Sequence, residues 1–381
     1  MNKFEVLTDI YFGEDALQRL REIECKKVFI ITDPFVVDSG LIRHIKKPLE
    51  AGGISYELFT DVVPDPPIEK VAEGVKAFIA SGCDGIIGVG GGSALDLSKA
   101  VRKMSQQVNA ELHPRLIAIP TTSGTGSEVT SFAVITDPET KTKIPLVSDD
   151  MTPDEAILDE TLVMSVPAGV TADTGMDVLT HAIEAYVSTK TNEFSGALAE
   201  KAADICGQFL YRSYADNTDI HARRKMHIAA CLAGLAFNTA SLGLNHGMAH
   251  QLGAHFHIAH GRANAILLPT VIEYNSGITN ISRDRDMKAG CVFRYCNIAT
   301  TLGLHGTNEV MTIHSLCNYL RFMADDMNIP MHLSEFLKIT KEQYEAELDS
   351  MADAALNDSC TETNPRVPTK AEVVELYRKI W

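Results

Sequence analysis

Five of the chain's thirteen histidines, His246, His250, His255, His257 and His260, are crowded into the stretch NHGMAHQLGAHFHIAHGRANA. Neutral imidazole is the commonest protein ligand for borderline metals such as Zn²⁺ and Fe²⁺. Gly, Ala, Leu and Ile surround these rings, and the apolar run AILLP follows at residues 265–269. Buried polar groups need partners, so several rings in such a setting point to a shared ion. A histidine-rich surface loop is the alternative. In TADTGMDVLTHAIEAY, Asp177 and His181 stand four apart within a helical pattern. Positions i and i+4 share one helix face, so a carboxylate and an imidazole can grip one cation there. An exposed pair has the same spacing, but the two fragments together predict a metal site.

A second chemistry sits earlier in the chain. The buried-strand run GIIGV at 85–89 leads straight into GGGSALDLSKA, a glycine turn opening a helix. Such a turn lets the backbone approach a phosphate closely, and the helix N-terminus offers free N–H groups and a positive dipole end. The segment GVGGGS fits GxGxxG only loosely, and a purely structural turn is the alternative. Asp33 closes the strand run KVFIIT. A carboxylate at that place can accept hydrogen bonds from an adenosine ribose and repels a 2′-phosphate, which favours NAD over NADP; an ordinary turn aspartate before Pro34 is the competing possibility. The loop PTTSGTGSE at 120–128 is rich in hydroxyls suited to pyrophosphate and nicotinamide amide.

The elements that must position these groups fall into two textures. Over residues 1–165, β-rich runs alternate with helical stretches, predicting an α/β nucleotide-binding domain with a Rossmann-like, mostly parallel sheet. Strand runs are read at 27–32, 55–59, 85–89, 116–119 and 156–159, with a hairpin at 132–147. The segment VPAGV at 166–170 reads as an interdomain hinge. Residues 166–381 then form a second domain whose pattern is almost wholly helical from Thr171 onward, with no period-2 runs. The histidines and Asp177 belong to it and the phosphate loop to the first domain, so an active site is expected in a cleft between them.

Composition narrows the classes. The 381 residues carry a formal charge of −16, against a nucleic-acid partner. No run approaches the length of a membrane span, and the acidic start MNKFEVLTDIYFG does not read as a signal peptide. Eight cysteines without a CxxC pair fit reduced thiols in a cytoplasm.

GGGSALDLSKA, PTTSGTGSEVT, TGMDVLTHAIEAY, GLNHGMAHQLGAHFHIAHGRANAILLP and NPRVPTKAEVVELY occur in one order across the chain, which resembles the iron-dependent (group III) alcohol dehydrogenases. The resemblance implies a dehydroquinate-synthase-like two-domain architecture, a nicotinamide domain followed by an all-α domain holding one divalent metal. It implies Asp177, His181, His246 and His260 as ligands of Fe²⁺, with Zn²⁺ possible, and His250 as a catalytic proton relay. His255 and His257 fall outside the ligand set. For NAD it implies Asp33, Asp65, Gly90, Gly91, Gly92, Ser93, Asp96, Thr121, Thr122, Thr125, Val134 and Lys143. Two departures from the family pattern stand at Ala259, where Pro is common, and at Glu160, where Pro commonly follows Asp159.

The implied reaction is hydride exchange between NAD(H) and a small primary alcohol or aldehyde of the ethanol, propanol, propanediol or lactaldehyde class, the metal acting as a Lewis acid. A homo-oligomer, dimer or higher, without a membrane partner is expected, in the cytoplasm or a metabolic microcompartment within it. The alternatives are glycerol-dehydrogenase-like polyol oxidation and a lyase of the dehydroquinate-synthase type. The lyase needs several basic residues for an anionic substrate, and Arg262 is the only obvious one.

Overall fold

In a computed structural model of the chain, the structure describes residues 3–137, 142–278 and 289–381, without the side chains of residues 142, 143, 289 and 290. Two compact units are formed: Met1–Val166 with Arg223–Gly234, and Pro167–Ala222 with Leu235–Trp381. The segment Arg223–Gly234 is the middle of a helix that the sequence assigns to the helical half.

The first unit is built on six strands, β1 (Asp9–Phe12), β2 (Lys27–Thr32), β3 (Ser55–Phe59), β4 (Gly85–Gly90), β5 (Arg115–Pro120) and, after a hairpin of β6 (Phe132–Asp137) and β7 (Thr142–Val147), β8 (Glu155–Leu158). Their order is β1-β8-β5-β4-β2-β3, and every pairing in that sheet is parallel. A parallel sheet covered on both faces needs continuous apolar strands. The residues of KVFIIT meet that need by alternation. Val28 and Ile30 pack on one face with Leu20, Ile45 and Leu49, whereas Phe29 and Ile31 pack on the other with Phe78, Leu97 and Val101. The intervening helices are α1 (Pro34–Asp38), α2 (Ile42–Ala51), α3 (Ile68–Ser81) and α4 (Gly92–Val108).

Two expectations about this unit change. The strand β1 was not legible from the sequence. Its four residues are half-exposed on the sheet edge and show no apolar alternation. With β1 present, the glycine turn follows the fourth strand in chain order, not the third. Its place in the sheet matters more: the chain leaves β2 for β3 on one side and returns to β4 on the other. The C-terminal ends of β2 and β4 therefore flank the point where the winding reverses, which in open α/β sheets is where ligands bind.

The second unit is helical throughout its described residues: α5 (Ala168–Val187), α6 (Glu193–Ala215), the ends of α7 (Ile220–Ala240), α8 (Leu244–Phe256), α9 (His260–Asn275), α10 (Ala289–Thr301), α11 (Glu309–Asp326), α12 (Lys341–Leu356) and α13 (Lys370–Lys379). Residues 168–170, read as part of a hinge, form the first turn of α5, with Pro167 at the N-cap. Fourteen of the twenty residues of α5 are buried, so it is the central helix of this unit. It packs against α6 and α9, while α8 packs against α9 and α12. All eight cysteines are free thiols. Among the described residues, no single helix is long and apolar enough to cross a membrane.

Candidate active site

Asp177 and His181 occupy successive turns of α5, and His246 lies in the first turn of α8. His260 is the first residue of α9, held there by a close helix contact. A Cβ at Gly261 would stand 2.1 Å from the Asp173 carbonyl oxygen, so only glycine lets α9 rest on α5 at this point. The result is convergence. Asp177 Oδ1 lies 3.6 Å from His246 Nε2, 3.6 Å from His260 Nε2 and 4.0 Å from His181 Nε2. One ligand atom from each residue falls within 4.8 Å of all the others. Ligands about 2.1 Å from a tetrahedral ion stand roughly 3.4 Å apart, so the two 3.6 Å pairs are within a few tenths of an ångström of that spacing, while His181 at 4.0 Å stands wider. Asn264 Nδ2 sits among three of these atoms, 2.7 Å from Asp177 Oδ1, 3.1 Å from His246 Nε2 and 3.2 Å from His260 Nε2. The donor set of three imidazoles and one carboxylate suits Fe²⁺ or Zn²⁺.

The electrostatics agree with a cation site. Burial alone would raise the Asp177 carboxyl, but His181, His260 and His246 together hold it well below the usual carboxylate range. His246 Nδ1 contacts Glu184 Oε2 at 2.5 Å, and Glu184 Oε1 accepts the Asn245 N–H at 2.8 Å. A carboxylate on Nδ1 fixes the ring so that Nε2 turns its lone pair to the ligand cluster, the usual outer support of a metal-binding histidine. The sequence did not single out Glu184. It stands three residues after His181 in α5, so the same-face rule that paired Asp177 with His181 reaches it.

His250, one turn after His246 in α8, is half-buried and stacked on His260, with ring centroids 5.4 Å apart. Its Nδ1 lies 2.7 Å from Asp358 Oδ2, and Asp358 Oδ1 accepts the Cys360 N–H at 2.9 Å. Burial works against the Asp358 carboxylate, but these hydrogen bonds, that of His250 foremost, bring it down to about 2. Asp358 is 108 positions from His250, beyond any local signal. The other two histidines of the cluster are exposed. His255 pairs with Glu347 at 3.0 Å, and His257 caps α8 in the left-handed region at φ 54°.

In the first unit, Asp33 caps α1, its Oδ1 accepting the Val36 N–H at 3.0 Å. Gly90 adopts φ +151°, where a side chain is strained, and a Cβ there would stand 3.1 Å from Asp33 Oδ2. Asp33 and the glycine turn Gly90, Gly91, Gly92 and Ser93 are thereby neighbours at the winding reversal. Among the described residues no side chain caps the N-terminus of α4, so an open helix N-terminus, the kind of place that suits an anion, stands at this turn. The hydroxyl loop is tied to this turn by the Thr121 N–H, which donates to the Gly90 carbonyl at 2.9 Å. Thr122 Oγ1 would lie 3.5 Å from a Cβ at Gly91, and Thr125 Oγ1 accepts the Ser127 N–H at 3.3 Å.

Asp96 has another occupation: its carboxylate accepts from Ser127 Oγ at 2.6 Å and from the Val134 N–H at 2.9 Å, joining α4 to the loop and the hairpin. Buried Lys99 adds bonds to Ser127 Oγ, Thr130 Oγ1 and the Phe132 carbonyl at 2.7, 3.0 and 2.7 Å. Asp65 is exposed, at φ 50° between β3 and α3. Lys143 pairs with Thr136 in the hairpin, and its side chain lies outside the described residues.

Comparison with known proteins fits this geometry. The family model "Iron-containing alcohol dehydrogenase" matches residues 8–160, and "Fe-containing alcohol dehydrogenase family, C-terminal" matches residues 171–381. The chain belongs to the iron-containing alcohol dehydrogenase family. It is 42% identical over 382 residues to the 1-propanol dehydrogenase PduQ of Citrobacter freundii, with both chains covered in full. To the NADPH-dependent butanol dehydrogenase of Clostridium saccharobutylicum it is 37% identical, over 100% of this chain and 98% of the other. A crystal structure of a 1,3-propanediol oxidoreductase matches with a TM-score of 0.89 and 32% identity, again covering both chains fully.

As a member of this family the chain is an oxidoreductase, an alcohol dehydrogenase or aldehyde reductase. Its two departures from the family pattern are accommodated locally. Ala259 is the N-cap of α9 at φ −55°, a conformation that proline also adopts. Glu160 is buried and its Oε1 takes the Arg224 Nε at 2.8 Å.

Proposed function

We propose that this alcohol dehydrogenase interconverts small primary alcohols and aldehydes of the propanol class with NAD(H) and one divalent ion, Fe²⁺ or Zn²⁺. The observation that carries the proposal is the convergence of His181, His246 and His260 Nε2 on Asp177 Oδ1. These four residues would hold the ion, with Glu184 bracing His246 and Asn264 bracing Asp177. When bound, the ion supplies Lewis-acid polarisation of the substrate oxygen. Asp33 would accept the ribose hydroxyls, while the turn at Gly90, Gly91, Gly92 and Ser93 and the N–H groups of α4 would receive the pyrophosphate. Thr121, Thr122 and Thr125 line the same turn. Asp96 and Val134 contribute by fixing that loop and the hairpin.

His250 is the group proposed to move the substrate hydroxyl proton. With Nδ1–H donated to Asp358, Nε2 is the free basic atom, and a half-buried ring can pass a proton on to solvent. Against the lyase alternative, Arg262 is the one basic residue the sequence offers beside His260, and its Nε is engaged by Asp173 Oδ1 at 3.1 Å. The test is a panel of alcohols and aldehydes with NAD(H) and NADP(H), run on protein reloaded separately with Fe²⁺ and Zn²⁺. Turnover of 1-propanol and propanal with NAD(H) is expected; failure with every alcohol in both metal forms would overturn the proposal.

A further inference from the structure

The hydroxyl loop holds two hydroxyls that the cofactor assignment leaves unused: Ser127, which Asp96 and Lys99 engage, and Ser123. Ser123 Oγ lies 3.0 Å from His227 Nδ1. His227 belongs to the part of α7 that packs in the first unit, and it is only 2% exposed. The loop rests directly on this helix, the Cβ position of Gly126 falling 2.6 Å from Gly234 Cα. Among the described residues, no group hydrogen-bonds the buried His227 Nε2. Ser123 itself is half-buried and not sealed in the core.

These facts decide where the ring proton resides. Burial pushes His227 down to about 4, with the Asp159 carboxylate opposing, so the ring is neutral at working pH and has one proton for two nitrogens. Were the proton on Nε2, a buried N–H would lack an acceptor, the rarer and costlier of the two orphans. With the proton on Nδ1 it is donated to Ser123 Oγ, and the orphan is only a lone pair. In this tautomer the ring cannot take the serine proton, so the pair is no nucleophile with its base. The Ser123 O–H must instead point away from His227.

We propose that Ser123 is a further hydrogen-bond donor to an acceptor oxygen of the dinucleotide, and that His227 is the positioning residue that aims its hydroxyl. The inference rests on the assignment of loop 120–128 to the cofactor. The acceptor is a pyrophosphate oxygen or the nicotinamide carboxamide oxygen, which share this chemistry.

The test titrates NADH, NADPH and ADP-ribose into the full chain and its variants by calorimetry. Ser123→Ala is expected to weaken NADH binding about tenfold or more if the acceptor is a charged pyrophosphate oxygen, and about threefold or more if it is the neutral carboxamide. Ser123→Thr, which keeps the hydroxyl, should restore it. An equal loss with ADP-ribose assigns the pyrophosphate, and a loss confined to NADH assigns the carboxamide. His227→Leu should weaken binding as much as Ser123→Ala, and the double variant should be no weaker than either single one. Nitrogen-15 spectra of histidine-labelled protein should show the His227 proton on Nδ1.

Wild-type affinity in Ser123→Ala, multiplying effects in the double variant, or a proton on Nε2 would each overturn the inference. Should His227→Leu fail to fold, the serine variants and the spectrum still decide. If the unaltered chain binds neither NADH nor NADPH, the cofactor assignment falls and this inference with it. Normal binding with an indifferent Ser123→Ala removes only the inference.

Discussion

Asp33 has two tasks that one substitution can separate. Its carboxylate caps α1 and lies against Gly90 at the winding reversal. Asp33→Asn keeps the capping oxygen but removes the charge that would repel a 2′-phosphate. The ratio of kcat/KM for NADPH over NADH should rise roughly tenfold, on the scale of one lost charge contact, with thermal stability nearly unchanged. An unchanged ratio would mean that Asp33 does not face the ribose.

Glu128 offers a residue-scale test of pH dependence. Burial raises its carboxyl from 4.5 to about 7, against the pull of Lys99, itself lowered by burial to about 8. Below about 4.5 the group is protonated whether the chain is folded or not. As the pH climbs toward 7, the unfolded chain ionises while the folded one still holds the proton, so stability is lost over that window. Glu128→Gln removes this loss. Its melting temperature should exceed the wild type's by a margin that widens between pH 5 and 8, worth up to ~3 kcal/mol. A margin that stays flat with pH, measured by calorimetric melting, would show that Glu128 is ionised throughout.

At the scale of elements, the site depends on how closely α9 approaches α5. Gly261→Ala changes no ligand, yet its new Cβ meets the Asp173 carbonyl and must push the start of α9 away. Overpacking of this kind costs about 1–3 kcal/mol, and it moves His260 off Asp177. The variant should bind Fe²⁺ or Zn²⁺ at least tenfold more weakly than the wild type in a chelator competition. Unchanged metal affinity would show that His260 is positioned by something other than this contact.

The elements were unevenly legible in the sequence, for physical reasons. Buried parallel strands such as KVFIIT and GIIGV announce themselves as unbroken apolar runs bounded by turns. The half-exposed edge strand β1 has no such pattern. Asp177 and His181 are readable because a helix fixes their spacing, and the same helix face, three residues on, leads to Glu184. Nothing local joins His250 to Asp358 or Ser123 to His227, since folding alone makes those pairs. The glycine turn is irregular as a motif, yet the strand order sets it at the point where the winding reverses.

For the whole molecule, the proposed function draws on both units: a nucleotide turn from one, and a ligand cluster from the other. Neither half alone explains the chain. A metal that binds only the folded chain should raise its melting temperature, by about 2.7 kcal/mol of stability at a hundredfold excess over Kd. Stability alone does not establish the reaction. The direct measurement is transfer of deuterium from 1,1-dideuterated 1-propanol to NAD⁺, followed by mass spectrometry of the nicotinamide product. It is run on metal-stripped protein and on the same protein reloaded with Fe²⁺ or Zn²⁺. Deuterated NADH is predicted from the reloaded protein only, with a slower rate than from the protiated alcohol. Deuterium transfer of equal rate in the stripped protein, or none in either reloaded form, would contradict a metal-dependent alcohol dehydrogenase using NAD.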